Sequence, residues 1–147
     1  MNSTRCAILL IAFLSCAWSF KILIYSPLFG NSHAMVMGRL ADILVEEGMD
    51  VTALLPKMNP KVPSNGTKLA KTIAVEMDNR VKGFYEGQSV QGLAKTWTAP
   101  HSNPLSQIMR RDRLKEALVH QCEHTLSQKD LLKELKDEKF DLGIRSF

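Results

Sequence analysis

Hydrophobic residues follow two rhythms along this chain. Lys21-Ile22-Leu23-Ile24-Tyr25-Ser26 is a nearly unbroken apolar run closed by Pro27, the mark of a strand covered on both faces. From Ala34 the rhythm changes. Met37, Leu40, Ala41 and Leu44 recur at helical spacing, with Val36 and Ile43 beside them and Arg39, Asp42, Glu46 and Glu47 on the other side. Gly48 stands where a helix C′ glycine belongs. Asp50-Val51-Thr52-Ala53-Leu54-Leu55 is a second buried run, ended by Pro56. Strand, helix and strand in such short succession predict a βαβ unit with parallel strands and a right-handed crossover.

Beyond it, Lys57 to Lys68 is a polar, proline-rich connection, and Lys71 to Glu76 reads as a third strand. Asp78 to Pro104 holds Gly83, Gly87, Gly92 and Pro100 among the aromatics Phe84, Tyr85 and Trp97, and its pattern predicts no element. Helical spacing returns with Leu105, Ile108 and Met109, then Leu114, Leu118, Cys122 and Leu126. Ser127 reads as the N-cap of a further short helix, Lys129 to Lys136, with Asp130 in its first turn. Phe140 to Ile144 is a fourth strand, and no helix pattern follows it. The fold class is therefore α/β, a partial doubly wound parallel sheet.

The 147 residues suit one domain, and 45% hydrophobic with 23% charged residues is globular composition. The net charge of +4 is spread out, without the clustered basic footprint of a nucleic-acid or anionic-membrane partner. Residues 1–19 differ in kind. Arg5 precedes the apolar run Ala7 to Leu14, and Ala17 and Ser19 place small residues before Phe20, the pattern of a cleaved secretory signal. That run is too short to span a bilayer, and no other stretch is a candidate. The expected organisation is a signal peptide at 1–19 and an incomplete domain at 20–147. Asn65-Gly66-Thr67 is an N-glycosylation sequon, which suits a lumenal chain. Loss of Cys6 and Cys16 with the leader would leave Cys122 alone, so no disulfide framework is expected. With Leu118 and Leu126 one turn away on either side, Cys122 reads as a small core residue.

Candidate chemistry concentrates in Pro27 to His33, after the first strand and at the mouth of the first helix, where open α/β sheets bind ligands. A helix N-terminus disfavours added positive charge, which suits a neutral imidazole able to take a proton from a hydroxyl. Composition alone favours the plainer reading of His33, a solvated residue that opens the helix. Gly30 is the loop's single glycine before the helix, so there is no G-x-G-x-x-G phosphate cradle. Walker, paired-cysteine and G-x-S-x-G motifs are absent too.

The run KILIYSPLFGNSHAMVMGRLADILVEEGMDVTALLP closely resembles the amino-terminal segment of UDP-glycosyltransferases of the UDP-glucuronosyltransferase type. There a first strand leads to a Ser-His pair and a G-x-L-A-D-x-L-x-x-x-G-H-D-V-T run, from which this chain departs with Met49 in place of His. The run CEHTLSQKDLLKELKDEKFDLGI resembles the same family's lead-in to an acidic position. The resemblance implies a two-lobed (GT-B type) glycosyltransferase, of which residues 21 to about 144 form part of the acceptor lobe. It implies that His33 is the general base that deprotonates the hydroxyl of a small lipophilic acceptor, which attacks the anomeric carbon of a UDP-sugar with inversion. The transferred group would be glucuronosyl or another hexosyl. No metal or cofactor beyond the UDP-sugar co-substrate is implied, and the compartment implied is the lumen of the endoplasmic reticulum or the secretory route beyond it.

One implied position departs. Counting from Phe140 and Asp141, the acidic partner that orients the histidine falls on Ser146, which carries no charge. Asp141 lies five residues short of it and on the opposite strand face. The resemblance also implies a sugar-donor lobe beyond these residues, so the isolated chain is expected to be inactive. The alternative is a non-catalytic lumenal protein that keeps part of the acceptor lobe and binds small molecules or longer relatives.

Overall fold

The computed structural model describes residues 19–62, 66–86 and 104–146. The leader at 1–18, the sequon's Asn65 and Trp97 lie outside the described residues, as do the side chains of Phe84 and Tyr85. Four strands, β1 (Lys21–Tyr25), β2 (Asp50–Pro56), β3 (Lys71–Val75) and β4 (Leu142–Arg145), form one sheet in the order β3-β2-β1-β4. Every pairing is parallel. The α/β parallel sheet expected from the sequence is present. The chain starts in the middle, moves outward through β2 and β3, then returns to place β4 on the other side of β1. That reversal makes the β1–β4 boundary the topological switch point of the sheet.

One face is covered by α1 (Asn31–Glu46). Ile22 and Ile24 of β1 and Val51 of β2 bury against Ala41, with Met37, Leu44, Val45 and Ile144 around them. Full burial of one such isoleucine is worth about 1.5–3 kcal/mol. The opposite face receives Leu131 and Leu135 of α4 (Lys129–Asp137), packed on Leu23, Tyr25, Leu54 and Val75. Period-two alternation thus divides each central strand between two layers, which is why β1 and β2 read as continuous apolar runs.

Helix α1 stops as its sequence suggests. Gly48 adopts φ 86°, its N–H donates to Val45 O at 2.9 Å, and the Met49 N–H donates to Leu44 O at 3.1 Å. These are the paired bonds of a Schellman cap, in which the residue after the glycine packs back on the helix. Met49 does so within the Ile22 cluster. An apolar residue therefore suits the position where the family resemblance expects His.

Four sequence expectations change. Residues 79–86 form a helix, α2 (Asn79–Glu86), where the pattern predicts no element. Asp78 explains it: its carboxylate accepts the Arg80 N–H at 2.7 Å and so caps the first turn. Cys122 is exposed rather than core. It lies on α3 (Pro104–Ser127), whose Leu114, Leu118 and Leu126 are also exposed, while Ala117, Gln121 and Thr125 are buried. Gln121 decides this orientation. Its amide accepts from Asp78 N–H and donates to Glu76 O, both at 3.0 Å, pairing backbone groups just past β3 that a leucine would leave unbonded. Ser127 is the last residue of α3 and its Oγ donates to His124 O, while Gln128 holds the N-cap position of α4. Asp42 is buried at 4% exposure, not on the solvated side of α1.

That last change reveals a latch. Asp42 Oδ1 accepts the Thr67 hydroxyl and the Lys68 and Leu69 N–H groups, the latter two at 2.9 Å. Burial alone would raise the Asp42 pKa, but the Thr67 hydroxyl and the Leu69 and Lys68 amides outweigh it and hold the carboxyl below its ordinary value. Gly38 of α1 faces Gly66 so closely that a Cβ on either would overlap backbone, Gly66 C=O in one case and Ala34 C=O in the other. The glycine and aspartate of the G-x-L-A-D run therefore hold residues 66–70 against α1.

Candidate functional site at the β1–β4 switch point

The segment after β1 is fixed before it reaches the histidine. Ser26 N–H donates to Leu54 O at 3.0 Å and Leu28 N–H to Pro56 O at 2.8 Å, which extends the β1–β2 ladder, and Leu28 bridges Lys57 in parallel. Asn59 ties down the next residues, its N–H donating to Leu28 O and its side-chain amide to Phe29 O at 3.1 Å. Phe29 then packs with Met58, Val81 and Ala117, which joins this loop to α2 and α3. Gly30 is the N-cap of α1, with no side-chain cap and no acidic residue in the first turn.

His33 occupies that first turn and is half-buried. Its ring lies 4.5 Å from the Phe29 ring, centroid to centroid, tilted by 41°. One helical turn further on, Met37 and Gly38 lie over Ser26, enclosing a small void with Ile24, Ala53 and Leu55. His33 and Met37 share a helix face. α1 packs on the sheet between two parallel strands, so one turn back from Met37 lies toward the strands' carboxyl ends. The histidine thus sits at the rim expected for a ligand site in an open α/β sheet.

Ser146 lies on the same rim. It follows β4 directly, and its N–H donates to Tyr25 O at 3.2 Å. The β1–β4 register pairs Ile24 with Ile144 and Tyr25 with Arg145, and one further step sets Ser26 beside Ser146. Alternation places both serines on the α1 face. Both Oγ atoms are buried, and neither has a hydrogen-bond partner among the described residues. Asp141 is at the other end of β4, where its carboxylate accepts the Lys21 N–H at 2.8 Å and its own N–H donates to Lys21 O. It fastens the amino ends of β1 and β4 and is no substitute for a carboxylate at 146.

Ser26, Phe29 and Asn59 carry no sequence signal of their own. Only pairing information identifies them, because their roles come from strand register and loop bonds and not from residue type. Among the described residues, no group of three or more His, Cys, Asp or Glu is placed to hold a metal ion. No helix among them is long and apolar enough to cross a membrane. A second polar cluster lies past β3. Arg80 bonds both Asp78 and Glu123, and the Arg80 guanidinium holds the Asp78 carboxyl at about 2. Every charge in that trio is paired, which suits a joint between α2 and α3.

No family model matches the chain, and no solved structure matches it. Curated relatives do. The chain is 31% identical over 126 residues to UDP-glucuronosyltransferase 3A1 of Bos taurus, covering 84% of this chain and 23% of that protein. It is 30% identical over 133 residues to UDP-glucuronosyltransferase 3A2 of Homo sapiens, with the same coverage. It is also 30% identical over 141 residues to the Caenorhabditis elegans relative ugt-46, covering 91% of this chain and 25% of that protein. The chain thus spans about a quarter of the length of the relatives it matches.

Proposed function

From the premise that this chain belongs to the UDP-glucuronosyltransferase family, we propose that it carries part of the acceptor-binding side of a glycosyl-transfer site, with His33 as the inherited base. In that reaction the acceptor oxygen bonds to the anomeric carbon of a UDP-sugar, glucuronosyl or another hexosyl. The bond from that carbon to the UDP oxygen breaks with inversion, and the acceptor proton passes to the His33 imidazole. The acceptors are small lipophilic hydroxyl compounds, and the UDP-sugar is a co-substrate in place of any metal or cofactor. The observation that carries this reading is the position of His33, in the first turn of α1 at the switch-point rim, with its ring against Phe29.

Ser146 sets the level of activity. A hydroxyl there neither orients an imidazolium nor offsets its charge, and loss of the carboxylate from such a pair costs on the order of 10⁴ in rate. This chain alone is therefore expected to consume no UDP-sugar. The same serine favours a second reading, a non-catalytic lumenal protein that binds lipophilic small molecules or longer members of the family. Residues 1–19 would deliver the chain to the endoplasmic reticulum lumen and be removed, and Asn65 would meet the glycosylating enzyme there.

Two measurements test the proposal. Purified chain is incubated with UDP-glucuronic acid or UDP-glucose and a panel of phenols, and UDP release is followed. The expected result is none, and release abolished by His33→Ala would overturn the assignment of inactivity. The same phenols are then titrated while the His33 imidazole NMR signals are followed. Saturable shifts confined to phenols that bind support His33 at the acceptor site. Binding that leaves those signals unmoved would remove His33 from it.

A further inference from the structure

Among the described residues, β4 pairs with β1 alone and forms one edge of the sheet. Its side chains are open to solvent too. Leu142 is 45% exposed, and Asp141, Gly143 and Arg145 are exposed beside it. The backbone groups divide by strand alternation. Ser146 N–H donates to Tyr25 O, so in the same ladder the N–H and C=O of Leu142 and Ile144 also point toward β1. Those of Gly143 and Arg145 point away, to the open edge. Sheet edges are ordinarily guarded by lysine, proline or a bulge. Leu142-Gly143-Ile144 holds neither lysine nor proline, and a Cβ built on Gly143 meets nothing within 4 Å.

Charge selects what fits there. Outward backbone groups must meet outward groups, so a second β4 laid antiparallel on this edge is centred on a residue and not between two. Of the centres from Asp141 to Arg145, Gly143 sets Asp141 of each copy opposite Arg145 of the other, with Leu142 opposite Ile144. Centring on Asp141 or Arg145 opposes two like residues, and centring on Leu142 opposes Arg145 to Lys139. Like charges directly opposite destabilise a sheet. Centring on Ile144 makes no charge pair. Both members of the favourable pair are available. Asp141 Oδ2 accepts the Lys21 N–H, and among the described residues neither Asp141 Oδ1 nor the Arg145 guanidinium is bonded.

We propose that β4 is a self-association edge: two copies of this chain pair their β4 strands antiparallel about a two-fold axis at Gly143, joining two four-stranded sheets into one. Gly143 and its counterpart exchange two N–H to C=O bonds at the centre. Asp141 and Arg145 form an ion pair on either side of it, and Leu142 packs on Ile144 of the other copy across the α1 face. The axis stands perpendicular to the sheet, so α1 of both copies lies on one side. One short strand from each copy makes a small interface, half-formed at on the order of 10⁻⁵–10⁻⁴ M. The pairing draws on no residue assigned to the acceptor site, so it stands or falls apart from the glycosyl-transfer reading.

Sedimentation equilibrium of the full chain, from well below that concentration to well above it, reads the association. Gly143→Pro removes the outward N–H and leaves every β1–β4 bond, so it should fold and associate at least about tenfold more weakly. Arg145→Glu and Asp141→Lys each oppose like charges in a self-pair, and each alone should also associate at least about tenfold more weakly. Mixed, they should form a one-to-one pair, because the acidic positions of one copy then meet the basic positions of the other. Circular dichroism establishes that the variants are folded. Where one is not, hydrogen exchange in the unsubstituted chain replaces it, and protection of the Gly143 and Arg145 amides should rise with the dimer fraction. A chain monomeric at every concentration, equal association by Gly143→Pro, a mixture no more associated than its parts, or amides left unprotected in the dimer would each overturn the proposal.

Discussion

The side-chain amide of Gln121 spans the break after β3, taking the N–H of Asp78 and giving its own to Glu76 O at 3.0 Å each. This pair of bonds outranks apolar area in setting which way α3 turns. Gln121→Leu removes both partners from buried backbone groups and should cost roughly 2–3 kcal/mol. Leu118→Ala, on the exposed side of the same helix, should cost well under about 1 kcal/mol. Urea unfolding of the two variants checks the order, and a larger loss at Leu118 would mean that α3 buries its leucine stripe.

Gly38 and Gly66 meet with no room for a side chain on either. Gly38→Ala would raise helix propensity by about 1 kcal/mol in isolation, so a gain in stability is the naive outcome. The facing backbone reverses the sign. A net loss of roughly 2 kcal/mol or more is expected, because rigid backbone and not a flexible side chain must yield. Thermal unfolding of Gly38→Ala decides between the two outcomes.

These contacts mark how much the chain declares in advance. β1, α1, β2 and the parallel sheet follow from spacing that local rules read well, as the Gly48 cap does. Spacing alone puts Asp42 in solvent because an aspartate on a helix is ordinarily solvated, and only the loop that arrives 25 residues later supplies its partners. A glycine at 38, mid-helix, is the available signal of a close approach. Cys122 and its leucines have core spacing, yet they lose to Gln121 because unbonded backbone groups after β3 are invisible to periodicity. The rim histidine is legible from its place after a strand. Ser26 beside Ser146 needs the β1–β4 register.

Acid should loosen the joint between α2 and α3. Asp78 is held at about 2 chiefly by the Arg80 side chain, below the ordinary 3.8. A depressed carboxyl contributes stability that is complete above its unfolded value and is lost as pH falls through the folded one. The window is therefore from about pH 4 down to about pH 2. Half of the Arg80 side chain is exposed, so solvent screening limits the contribution to about 1 kcal/mol or less. Asp78→Asn should flatten stability across that window and lower it at neutral pH. A parallel pH profile for the variant and the unsubstituted chain would remove Asp78 from acid unfolding.

Ser26 and Ser146 present two buried hydroxyls side by side, with no hydrogen-bond partner among the described residues. A buried hydroxyl without a partner carries a desolvation cost of about 1–3 kcal/mol. Ser26→Ala should therefore be neutral or stabilising, against the usual sign for a core substitution. Ser146→Asp places a carboxylate on the same α1 face, within reach of the Ser26 hydroxyl. A hydrogen bond to a charged group is worth about 1.5–3 kcal/mol, so the aspartate should be tolerated better with Ser26 present than in the Ser26→Ala background. A double-mutant cycle in urea reads that coupling directly, and a value near zero would mean that the two positions do not meet. A coupling above about 1 kcal/mol would place a carboxylate at the rim where the family reading expects one, beside the turn that carries His33.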